Sequence, residues 1–175
     1  MKKYIILLAV FLLVVMVSGC TSDQNIPTTN FSVSGMSFQY PDTWNVTSQV
    51  NANATLIMVQ NEEFKSSEGA KGSVVLILKV SNASASNMTD TSKEFAKQAR
   101  SGKNFTNTTI NIASANASDM SYIGNDTQGN TSYARLINFT KNNTLYLLMF
   151  ATGGGSDIEA SKPFFEVIVK SFKLT

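Results

Sequence analysis

Two stretches of this chain are apolar at every position for the length of a β-strand. One is Val74-Val75-Leu76-Ile77-Leu78, the other Leu145-Tyr146-Leu147-Leu148-Met149-Phe150-Ala151. Successive side chains of a strand point to opposite faces of its sheet, so a run with no polar break has to be buried on both. This excludes a sheet with one wet face along those strands and predicts cover above and below. The other segments fit that plan. Phe31-Ser32-Val33 and Met36-Ser37-Phe38-Gln39-Tyr40 alternate apolar and polar residues around Ser34-Gly35, which predicts a β-hairpin. Pro41-Asp42-Thr43 predicts a turn, and Trp44-Asn45-Val46 a return to extended backbone. Trp44, the single tryptophan, is expected at the core edge; a ligand-stacking role is the alternative. Residues 55–60 and 133–139 read as strands, 109–113 and 120–123 as short strands separated by a polar loop, and 125–130 and Asn142-Asn143 as hairpin turns.

Two helices complete the pattern. Thr91-Ser92-Lys93-Glu94 matches a capping box, which predicts a helix that starts there, turns Phe95, Ala96 and Ala99 inward and stops at Gly102. Lys93, Lys97, Arg100 and Lys103 then form its solvated basic side, with contact to an acidic partner as the alternative. Gly153-Gly154-Gly155 reads as a flexible connection and lacks the Lys-Ser/Thr of a phosphate loop. Pro163 suits the first turn of a closing helix whose apolar stripe is Phe164, Phe165, Ile168, Val169 and Phe172. The expected fold class is α+β, an antiparallel β-sheet flanked by helices in an α/β/α sandwich.

The N-terminus follows other rules. Lys2 and Lys3 precede an apolar run from Tyr4 to Val17, and Val17-Ser18-Gly19-Cys20 comes next. The run is roughly 14 residues against the ~20 that span a bilayer, which fits a cleaved export signal. A lone cysteine directly after small residues resembles the lipobox of bacterial and archaeal lipoproteins. That resemblance implies cleavage between Gly19 and Cys20 and a lipid thioether on Cys20. The competing reading is an uncleaved anchor helix with an incidental cysteine; either places the rest of the chain outside the cell. The domain plan is a lipoprotein signal peptide at 1–19, a flexible tether at 20–30 and one domain at 31–175.

Much chemistry is excluded by what the chain lacks. It has no histidine, so the usual general base and the commonest transition-metal ligand are missing. Cys20 is the only cysteine, so once it carries lipid no thiol nucleophile or disulfide remains. Lys2 and Lys3 supply the formal charge of +2, and the neutral remainder gives no footprint for nucleic acid. Glu62, Glu63 and Glu68 read as solvated loop charges, with a weak cation site as the sharper alternative. No catalytic residue, metal site or cofactor is expected.

Asparagine is placed unusually. Of 17 asparagines, 12 have Ser or Thr two positions on: Asn30, Asn45, Asn53, Asn82, Asn87, Asn104, Asn107, Asn116, Asn125, Asn130, Asn138 and Asn142. Chance pairing at this composition gives about four. The excess predicts a glycosylated surface and, with the lipobox, favours an archaeal envelope; a surface merely rich in Asn, Ser and Thr is the alternative.

Residues 31–44, with Gly35, Phe38, Tyr40, Pro41 and Trp44, resemble the opening of PsbP-like domains. Phe165-Glu166-Val167-Ile168-Val169-Lys170-Ser171-Phe172 resembles the closing helix of that family and its Ser-Phe ending. The family includes an extrinsic subunit of photosystem II and many lipoproteins of unknown role. The resemblance implies the α/β/α sandwich but carries over no functional residue, because the family's histidine metal sites have no counterpart here. The expected function is therefore a non-enzymatic binding or scaffolding domain, lipid-anchored at the extracytoplasmic face of the membrane. Its partner would be an envelope protein or a small ligand. The alternatives are a solute-receptor accessory protein of a transporter and a carboxylate-dependent envelope hydrolase.

Overall fold

The computed structural model describes residues 25–64, 71–83, 85–125, 129–154 and 156–175, with only the backbone described at 85–89. Along the chain the strands are β1 (Thr28–Val33), β2 (Met36–Pro41), β3 (Asn45–Val50), β4 (Ala54–Gln60) and β5 (Ser73–Ser81). Helix α1 (Ala85–Ala99) follows, then β6 (Lys103–Ile112), β7 (Ala115–Asn125), β8 (Thr131–Lys141) and β9 (Thr144–Thr152). Helix α2 (Ile158–Ser171) and β10 (Lys173–Leu174) close the fold. Seven strands form one antiparallel sheet in the order β3-β4-β5-β9-β8-β7-β6, and β1-β2-β10 form a second, smaller one.

The apolar run of β9 lies at the centre of the large sheet and feeds two cores. Tyr146, Leu148 and Phe150 join Ile57, Val75, Ile77, Phe165 and Ile168 on one face. Leu145 and Leu147 join Met120, Leu136 and Ala83 on the other, where Phe95 and Ala96 of α1 pack. Helix α2 and the β1-β2 hairpin thus cover the first face, and α1 covers part of the second. The two-sided cover predicted from the apolar runs is present. No helix among the described residues is long and apolar enough to cross a membrane.

The hairpin turn at Ser34-Gly35 holds both residues at positive φ, 50° and 74°. A Cβ on Gly35 would also come 3.2 Å from the Thr175 carbonyl oxygen. Gly35→Ala is expected to cost about 1 kcal/mol, read as a lower urea midpoint at unchanged m-value.

Several boundaries differ from expectation. Strand β1 starts at Thr28, where Thr28, Thr29 and Asn30 pair with Pro41, Tyr40 and Gln39, so the expected tether gives its last three residues to the sheet. Helix α1 starts at Ala85, and the Thr91 capping box falls mid-helix, because the polar stretch before it contains no breaker. Strand β6 starts at Lys103, and in place of a polar loop the two-residue turn Ala113-Ser114, with φ of 50° and 60°, leads into β7. Asp157 caps α2 by accepting from the Ala160 N–H at 3.1 Å, so Pro163 lies beyond the first turn. Gly153 and Gly154 are buried, and the Gly153 N–H donates to the Gly72 carbonyl at 2.8 Å, which pins the connection expected to flex.

Candidate functional site: a groove between the hairpin and α2

Met36 and Phe38 of β2 point into the core, which turns Ser37 and Gln39 outward. Across the hairpin, Asn30 and Ser32 stand opposite them in register. Helix α2 runs beside this polar surface, and its Ser171 hydroxyl accepts from the Gln39 backbone N–H at 2.8 Å. Between hairpin and helix lies an open groove of about 1240 Å³, lined on the helix side by Glu159, Lys162, Glu166 and Lys170, and further on by Lys173. Asn25 and Ile26, the first described residues, line it too, so it opens where the N-terminal segment enters the domain.

The charges of the groove fall into two groups. Lys162 Nζ donates to Glu159 Oε1 at 2.6 Å and lies 5.5 Å from the centre of the Tyr133 ring. Glu166 Oε1 accepts from an Arg135 guanidinium nitrogen at 2.5 Å. Arg135 also grips Asp119 with two bonds of 2.9 and 2.8 Å and sits 5.7 Å over the Phe150 ring. Burial alone would lower the Arg135 pKa, but the hydrogen bonds and charges of Asp119 and Glu166 outweigh it and hold the guanidinium above its ordinary value. Both groove carboxylates are therefore committed to cations. Lys170 and Lys173 are exposed, with no carboxylate partner among the described residues. The arrangement can bind an anionic group and can hydrogen-bond through amides and hydroxyls. Among the described residues that line it, no carboxylate pair is left free for acid–base work.

Gly19, Cys20 and Glu68 lie outside the described residues, as does the side chain of Asn87. Asn30, Asn45, Asn53, Asn82, Asn104, Asn107, Asn116, Asn125, Asn130 and Asn142 are exposed. Asn138 is a correction: it is 2% exposed and its amide donates to the Ser92 hydroxyl at 3.1 Å, so the folded domain has no room for a glycan there. Trp44 is 6% exposed and packs against Phe164 and Phe165, which makes it a core residue. Glu62 and Glu63 are exposed, and the described residues hold no cluster of metal ligands. Of the residues lining the groove, the sequence singles out only Asn30 as a candidate site; the others are read from it as tether, hairpin and helix residues. Two signals could have found its charged wall: Asp119 and Arg135, each a charge inside a strand, and acids and lysines at helical spacing along α2.

Two antiparallel sheets, one helix on each face of the larger and a polar groove beside the hairpin define an α+β domain. The family model for PsbP-like protein matches residues 7–174, and the chain belongs to that family. Cyanobacterial PsbP (CyanoP) from Synechocystis sp. PCC 6803 is similar in structure, with a TM-score of 0.55 at 12% identity, covering 91% of this chain and 99% of that one. A protein from Bacteroides thetaiotaomicron VPI-5482 has a TM-score of 0.50 at 16% identity over 83% of this chain. The match spans only 48% of that protein's chain, about half its length. LpqN of Mycobacterium tuberculosis, involved in cell envelope biogenesis, gives 0.49 at 12% identity, covering 87% and 93%. No curated protein matches in sequence. At these identities the likenesses concern the fold alone.

Proposed function

We propose that this PsbP-like protein is an extracytoplasmic lipoprotein, cleaved before Cys20 and held at the membrane by lipid on that residue. Its domain is a non-enzymatic binding or scaffolding module, and the hairpin–α2 groove receives an envelope protein or a small ligand with an anionic group. The observation that carries this reading is the groove itself, open beside the N-terminal entry and edged by Lys170 and Lys173. The hydrolase alternative is disfavoured by Glu159 and Glu166, each engaged by a cation. Support for the anchor comes from Lys2, Lys3, the short apolar run and the lone cysteine.

Two measurements test the two halves separately. Cys20→Ser is expected to block lipidation and maturation and to leave the membrane fraction on a carbonate wash; a variant that matures and stays on vesicles sinks the anchor. For the groove, wild-type protein and Lys170→Glu/Lys173→Glu are used as baits on solubilised native membranes. The reversed charges are expected to weaken capture of the partner by about tenfold or more. Equal capture by both baits sinks the groove.

A further inference from the structure

Strands β3 and β6 bound the large sheet, and β1 bounds the small one opposite the two-residue β10. A strand at a sheet edge presents unpaired N–H and C=O groups on which another chain can pair. The edge of β6 is the most open. It is ten residues long and exposed except at Ile110 and Ile112. Lys103 is its only charge, it contains no proline, and its one irregularity, a register shift between Lys103 and Thr106, leaves Thr106 to Ile112 as a regular, uncharged edge. It also carries Phe105, 42% exposed.

Four of the ten exposed sequon asparagines lie on these edge strands. Asn30 lies on β1, Asn45 on β3, and Asn104 and Asn107 on β6, bracketing Phe105. The other exposed ones sit in turns or at strand ends, and the one in the middle of an inner strand, Asn138, is the buried one. Turn chemistry explains asparagine at Asn82, Asn104 and Asn142, whose φ values are 56°, 54° and 50°. It does not explain Asn30, Asn45 or Asn107, which are not among the positive-φ residues, nor the Ser or Thr that follows each by two positions.

We propose that Asn104 and Asn107 carry N-linked glycans that cover the free edge of β6 and keep two domains from pairing along it. The sugar comes from a polyprenyl-phosphate-linked oligosaccharide donor. Its C1–O bond to phosphate breaks, an N–C1 bond forms to the asparagine amide nitrogen, and the displaced amide proton is taken up by base. A glycan is far wider than the ~4.8 Å spacing between paired strands, so two of them deny an incoming strand its place. The proposal requires export of the domain but neither the groove nor lipid on Cys20.

The test starts with the full chain purified from its native cells. Glycopeptides at Asn104 and Asn107 and a monomeric wild-type domain, after release from the membrane, are expected. Thr106→Ala/Thr109→Ala removes both sequons without touching the asparagines, and is expected to shift the domain from monomer to oligomer in sedimentation. Adding Asn107→Lys to that variant should restore the monomer, since a lysine on the edge replaces the sugar's function; a misfolded variant would gain nothing from it. Thr144→Ala, which deletes a turn sequon, should stay monomeric. The idea is overturned by bare Asn104 and Asn107 in the native protein. It is equally overturned if the double variant stays monomeric, if lysine fails to rescue it, or if Thr144→Ala self-associates as readily.

Discussion

Arg135→Ala is expected to remove about 3–5 kcal/mol, a large part of the ~5–15 kcal/mol that holds a domain of this size together. The side chains of Arg135 and Asp119 are only 13% and 12% exposed. Deleting the guanidinium leaves the Asp119 carboxylate inside the fold without its counter-charge, which is the costly way to break such a pair. Arg135→Met/Asp119→Asn removes both charges and should recover most of the loss; the difference between single and double variants measures the stranded charge. The sign of the pH response follows. Arg135 is held above its ordinary value, so its contribution is complete at every pH below the arginine range and vanishes only above it. In the wild type the clamp therefore adds no slope between neutral and moderately alkaline pH. Urea titrations at several pH values check the recovery and the flat slope. A single variant as stable as the double one would rule out a stranded charge.

Phe165→Ala is expected to cost a similar ~3–5 kcal/mol for a different reason. The ring is 1% exposed and lies 5.2 Å from Phe150, 6.2 Å from Trp44 and 6.3 Å from Tyr133, centre to centre. It is the plug through which α2 holds the large sheet, and its loss opens a cavity that neighbouring rings cannot fill without leaving their rotamers. Phe164 is half-buried and meets Trp44 at 5.8 Å, so Phe164→Ala should cost clearly less. Equal losses would mean that the helix is seated differently on the sheet.

The two-sided sheet was legible because Val75 and Leu148 belong to runs with no polar break, and only burial on both faces tolerates that. The stripe of α2 was legible for the same reason, from helical spacing. The full length of β6 was not, since an exposed edge strand has no apolar face and Lys103 to Thr108 carries no alternation beyond Phe105. The start of α1 was hidden for a related reason: Thr91 to Glu94 imitates a helix start, and local capping chemistry cannot reveal a turn of helix already in place before it. Asn138 misled because a sequon is a three-residue pattern and burial is set by the sheet; Leu136, two positions earlier on the same face and fully buried, held the warning. The groove was out of reach because Gln39 and Ser171 are brought together by the fold across 132 positions of sequence.

The small sheet is finished by the far end of the chain. Lys173 and Leu174 pair with Ser37 and Met36, and the Thr175 N–H reaches the Gly35 carbonyl at 3.0 Å. In a chain made from its N-terminus the first hairpin forms early, but its third strand and the Phe172 ring that stacks on Phe38 at 6.4 Å come last. Such long-range closure is slow and leaves a sticky hairpin waiting. Until Phe172, Lys173 and Leu174 are in place, the apolar face of that hairpin stays uncovered, so these residues set when the small sheet is complete.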